Sequence, residues 1–293
     1  MTYTNEELLD IFKRDFVRPP MNGSVSTLNT YIGYINYLLE FLDNKNILEI
    51  TKKDIRLYFD SIDVADSTYN GRLSSFKTLF KVLCENPRVE DYIQYNPAST
   101  ISNVKHVKNK EKVAMSKVEQ SMLIKYSKNS RDKAILTTLL NTGMRINECL
   151  TLTLEQYINR DDNMIILTET KRDKDRVIFL NDECVKSIDE YLLDRKDLCG
   201  KLFVSNQGGQ IDVSNMNKTI KVIARRSGYF SDDRVKTLCN HLLRTSFSST
   251  MANDKGISID ILSKILGHSS TAMTSKVYVK TSNNKIMEAM CQS

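Results

Sequence analysis

The feature that most constrains the fold is the spacing of apolar residues. Over most of the chain they recur at three and four positions, the period of a helix with one buried face. Leu28, Tyr31, Ile32, Ile35, Leu38, Leu39 and Leu42 form one such stripe. Thr4 with Glu7, and Thr51 with Asp54, are capping-box pairs that open helices before and after it. A fourth helix carries Tyr69, Leu73, Phe76, Phe80 and Leu83. Four short amphipathic helices predict a compact N-terminal bundle.

A second helical region opens at the capping box Ser116 and Glu119. A helix over about 131–141 ends at Gly143, a natural left-handed cap. Further helices are expected at about 182–195, 213–227, 240–254, 258–266 and 283–290. Only two runs read as strands, Met164 to Leu167 and Arg176 to Leu180, and the charged turn TETKRDKD at 168–175 makes them a hairpin. The expected fold class is mainly α with one small antiparallel β hairpin.

Charge divides the chain in the same places. Residues 1–100 hold 11 Lys/Arg against 14 Asp/Glu, residues 101–115 hold 4 against 1, and residues 116–293 hold 27 against 21. The middle strip follows Asn96-Pro97, where a helix would stop, and carries Lys105, Lys108, Lys110 and Lys112. It reads as a basic interdomain linker, although composition fits a solvated loop equally well. The net charge of +6 therefore belongs to the linker and the C-terminal part.

Several function classes are disfavoured. No GxxxxGKS or GxGxxG loop is present, which argues against an ATP- or NAD-driven enzyme. The six cysteines show no metal-ligand spacing and there are only three histidines, so no metal site or cofactor is expected. Isolated reduced thiols suit a reducing, intracellular compartment such as the cytoplasm. The acidic amphipathic start is unlike a secretory signal, and no apolar run approaches the roughly 20 residues of a membrane span.

Candidate chemistry lies late in the chain. His241 and Arg244, three apart, project from one helix face. His268 follows Gly267 at a helix end, and Tyr278 lies ten residues on. Arg145 follows the Gly143 cap, and Lys171 sits near the hairpin tip. Each residue alone has an ordinary structural reading. Together, TGMRINECLTL (142–152), HLLRTSFSSTMA (241–252) and LGHSSTAMTSKVY (266–278) resemble the signature boxes of the tyrosine recombinases, the phage-integrase family. Order and spacing agree across 116–281, and the helical region before the linker resembles that family's core-binding domain.

The resemblance implies roles residue by residue. Arg145 and Arg244 match the two family arginines, and Glu148 the acidic companion of the first. His241 begins the HxxR pair, His268 is the second histidine and Tyr278 the nucleophile. Lys171 falls at the catalytic lysine, with Lys174 its competitor if the hairpin register slips. One departure is visible: the second strand ends in Phe179-Leu180 where the family has Pro-Leu.

These residue types suit transesterification at a DNA phosphodiester without metal or ATP. Two guanidiniums fork onto phosphate oxygens and stay charged at any working pH. A tyrosine, with a pKa near 10, needs a base such as His241, and the leaving 5′-oxygen needs an acid such as Lys171. The resemblance further implies domains at 1–100 and 116–281 joined by the 101–115 linker. Residues 282–293 form a last helix that docks in cis or is exchanged between protomers. The expected partners are duplex DNA with an inverted-repeat site, a homotetramer on paired sites, and accessory DNA-bending or directionality proteins. Integration or excision of a mobile element is the first expected role. Xer-like dimer resolution, a type IB topoisomerase-like activity and a noncatalytic DNA-binding regulator are the alternatives.

Overall fold

The computed structural model describes residues 3–104, 113–167 and 176–267. The chain divides into two compact units, Met1–Glu111 and Lys112–Ser293. The first holds α1 (Asn5–Val17), α2 (Val25–Phe41), α3 (Lys52–Asp60) and α4 (Asp66–Cys84). Thr4 and Thr51 cap α1 and α3, and Glu7 and Asp54 reach back to the cap N–H groups, so both expected capping boxes are formed. Such a cap contributes about 1 kcal/mol. α4 packs against α1 and α2, burying Leu8, Phe12, Ile35, Leu38, Leu73, Phe76 and Phe80 completely.

The strip expected to link the units is held at both ends. Ile101 belongs to the first core, and Val104 exchanges two hydrogen bonds, each 2.9 Å, with the Asn70 side chain of α4. Met115 belongs to the second core and its N–H donates to Ser246 Oγ at 2.8 Å. Lys105, Lys108, Lys110 and Lys112 lie outside the described residues.

The second unit begins with α5 (Lys117–Lys125) and α6 (Ser130–Thr142). α6 is buried on nearly every face and packs against α9 (Asp182–Asp194) and α12 (Asn240–Asn253). Between α6 and α9 lie α7 (Ile146–Thr151), α8 (Leu154–Ile158) and the hairpin of β1 (Met164–Leu167) and β2 (Arg176–Phe179). The hairpin is antiparallel, with Met164 opposite Phe179 and Leu167 opposite Arg176. Leu180, expected to end the second strand, lies just past it and donates its N–H to Asn163 O at 2.9 Å. The turn with Lys171 and Lys174 lies outside the described residues. The unit continues through α10 (Val213–Ser227), α11 (Asp232–Thr237), α12 and α13 (Ile259–Leu266). Leu262 and Leu266 of α13 pack with Phe247 and Ala252 of α12 in a small separate cluster.

Ser116 and Glu119 form the third expected capping box. The structure adds three short helices, α7, α8 and α11, that apolar spacing alone does not announce. Cys149 and Cys184 are buried, and desolvation pushes both thiols up, Cys184 to about 12. They act as small hydrophobes. Among the described residues, no disulfide forms and no helix is long and apolar enough to cross a membrane.

Candidate active site

The site is built around the turn that leaves α6. Gly143 adopts φ +63°, the left-handed conformation that favours glycine, and its N–H closes the helix on Leu139 O. A Cβ at this position would lie 2.1 Å from the Phe247 ring, so α12 also requires that none be there. Two residues on, Arg145 is the N-cap of α7. Glu148 reaches back one turn, accepting the Arg145 N–H at 2.5 Å and the Arg145 Nη1 at 2.6 Å. One carboxylate therefore caps the helix and orients the guanidinium that precedes it.

Arg244 approaches from α12 and is 6% exposed. Its Nη1 donates to Gly143 O at 2.8 Å, and its Nη2 donates to Leu266 O at the end of α13. Arg145 Nη2 donates to the next carbonyl, Gly267 O, at 3.0 Å. Arg176, at the start of β2, donates to the preceding one, Ile265 O, at 2.5 Å, and pairs with Glu148 through its other terminal nitrogen. Three guanidiniums thus engage three consecutive carbonyls where α13 ends. Unpaired carbonyls and the negative end of the helix dipole make that terminus a natural seat for cations. Gly267 itself has φ +63°.

The structure brings Arg145, Glu148 and Arg244 together at this terminus, as the sequence boxes imply. His241 lies one turn ahead of Arg244 on α12, exposed, its carbonyl accepting the Thr245 hydroxyl at 3.1 Å. Lys171, His268 and Tyr278 lie outside the described residues. Arg176 is the member that sequence reasoning missed, having used it only to set the hairpin register. Its signal was its place in β2: Arg176 and Ile178 are buried while Val177 and Phe179 are exposed, so a charge stands in the inward row. Among the described residues, no three His, Cys, Asp or Glu side chains gather as metal ligands.

Residues 113–285 match the model of the Phage integrase family, a match that spans more than half the chain. The chain belongs to that family. Residues 21–90 match its N-terminal SAM-like domain, so the helical unit precedes a catalytic integrase domain, and the protein is a tyrosine recombinase. The Tyrosine recombinase XerA of Saccharolobus solfataricus is 24% identical over 276 residues, covering 91% of this chain and 88% of that protein. The Tyrosine recombinase XerA of Pyrococcus horikoshii is 30% identical over 193 residues, 66% of this chain and 65% of that protein. The crystal structure of a XerA recombinase matches with a TM-score of 0.52 at 25% identity, covering 98% of this chain and 99% of that one. XerH bound to its palindromic difH substrate after cleavage gives a TM-score of 0.71 at 18% identity, covering 97% and 83% of the two chains. At that identity the likeness to XerH is one of fold.

Proposed function

We propose that this tyrosine recombinase cuts and rejoins duplex DNA at an inverted-repeat site through a 3′-phosphotyrosyl intermediate. The observation that carries the reading is the meeting of Arg145 and Arg244, 99 positions apart, on adjacent carbonyls at the end of α13. The next residue in the chain is His268. The described cluster gathers the guanidiniums of Arg145, Arg176 and Arg244 at one place, with Glu148 orienting two of them. Guanidiniums so gathered suit a phosphodiester gaining charge as it becomes pentacoordinate.

In the proposed reaction the Tyr278 phenolic oxygen attacks phosphorus and the bond to the 5′-oxygen breaks. His241 takes the phenol proton, and Lys171 gives one to the leaving oxygen. Arg145 and Arg244 bind the nonbridging oxygens, Glu148 holds Arg145, and His268 donates to a phosphate oxygen. The ester formed resembles the ester broken, so a partner's 5′-hydroxyl reverses the step and joins new strands without ATP.

The same reading assigns residues 1–100 to core binding, 101–115 to a linker whose lysines meet the DNA backbone, and 116–281 to catalysis. Residues 282–293 dock in cis or on a neighbour within a tetramer on paired sites, with accessory proteins setting direction. A mobile-element integrase and an Xer-like resolvase share all of this chemistry. The names of the relatives, XerA and XerC among them, favour the second as an alternative role. The Tn1549 transposon integrase, solved with circular intermediate DNA, shares the fold at 19% identity and a TM-score of 0.69.

The test is a duplex selected from random DNA by binding, incubated with the protein and resolved on a denaturing gel. A covalent protein–DNA species supports the reading, and cleavage without one defeats it. Ready relaxation of a supercoiled plasmid lacking the site favours a topoisomerase instead.

A further inference from the structure

Arg176 is 8% exposed and opens a strand at the edge of the unit's only described hairpin. Burying a guanidinium is costly unless its donors are satisfied. Here the two terminal nitrogens are paired, one with the Glu148 carboxylate and the other with Ile265 O at 2.5 Å, while the buried Nε has no hydrogen-bond partner among the described residues. Its stem lies against Gly267, where a Cβ would come within 2.9 Å of Arg176 Cδ and 3.2 Å of Nε. One side chain therefore connects the hairpin, the carboxylate that holds Arg145, and the last turn before His268.

We propose that Arg176 is a positioning residue for phosphodiester cleavage, acting through Glu148 on Arg145 and fastening β2 to the end of α13. It rests on the recombinase chemistry set out above. In this role Arg176 acts through Glu148 and Arg145 and makes no contact with the phosphate itself. The planar fork is what the geometry uses, since two fixed donors must serve a carboxylate and a carbonyl at once. A lysine keeps the charge but cannot reproduce both bonds.

The experiment compares single-turnover cleavage by wild type, Arg176→Lys, Arg176→Gln and Arg145→Ala. Two substrates are used: the normal site, and one whose scissile phosphate is replaced by a methylphosphonate. The methyl group removes the charge that Arg145 neutralises, so a fault confined to Arg145 positioning matters less there. On normal DNA both Arg176 variants are expected to be ~10–100-fold slower, the cost of a displaced charged hydrogen bond. On methylphosphonate DNA the same variants should fall within about 3-fold of wild type, a residual well below 1.4 kcal/mol per tenfold. DNA affinity should be unchanged, and Arg176→Gln should add little to Arg145→Ala. Equal slowing on both substrates, an unchanged rate on normal DNA, or loss of fold in both variants overturns the proposal. A wild-type protein that forms no adduct on normal DNA overturns the recombinase chemistry itself, and this role with it.

Discussion

Gly143 and Phe247 lie so close that a single added methyl group does not fit between them: a Cβ on Gly143 would be 2.1 Å from Phe247 Cδ1. The glycine also carries φ +63° and accepts Arg244 Nη1 through its carbonyl. Left-handed strain and overpacking together predict that Gly143→Ala loses roughly 2–5 kcal/mol of stability. Urea unfolding measures this. Combining it with Phe247→Ala should cost less than the sum of the two, because the second change removes the clash. Additive losses would show that the ring contact is not what constrains this turn.

Glu148 bridges Arg145 and Arg176. Glu148→Gln keeps the shape but loses the charge, and is expected to slow DNA cleavage by about 10–100-fold, the equivalent of one charged hydrogen bond. Site affinity should move far less than rate. Gel-shift titrations beside single-turnover cleavage separate the two, and a loss confined to affinity contradicts an orienting role.

Arg234 grips the start of the second unit. Its guanidinium forks onto Glu119 at 2.6 and 2.9 Å and also donates to Val113 O and Ala114 O. Burial works to raise the Glu119 carboxyl, but Arg234 and the Ser116 N–H outweigh it and hold it below its ordinary 4.5. A lowered folded pKa gives stability that is complete above the unfolded value and lost as pH falls through the folded one. Denaturant unfolding should therefore weaken below about pH 5, and Glu119→Gln should flatten that acid limb. An acid limb identical in the variant would remove this pair from the cause.

Lys171 is proposed as the acid for the leaving 5′-oxygen. Lys171→Ala should be slow on normal DNA and recover when that oxygen is replaced by sulfur, whose thiolate leaves without a proton. Rescue of Lys174→Ala in its place would move the acid three residues along the hairpin.

Much of the fold is legible in the sequence because local chemistry marks it. The pairs at Thr4, Thr51 and Ser116 each announce a helix start, and Gly143 and Gly267 each announce an end. α7, α8 and α11 span only five or six residues, too few for a period of 3.6 to register, and they persist through caps such as Thr153 and Ser231. The site divides in the same way. Arg145, Glu148 and Arg244 are recognisable from their boxes, but their acceptors at α13 are backbone carbonyls, which carry no sequence mark. Arg176 joins them only through tertiary packing: 28 residues separate it from Glu148 and 89 from Ile265.

The most direct measurement is to map the covalent adduct. The protein is incubated with its selected site and digested with nuclease and trypsin, and the modified peptide is sequenced by mass spectrometry. Tyr278 should carry the nucleotide phosphoryl group, and Tyr278→Phe should bind the site with unchanged affinity while forming no adduct. A phosphoryl group on any other residue, or an adduct formed by Tyr278→Phe, would contradict the phosphotyrosyl mechanism.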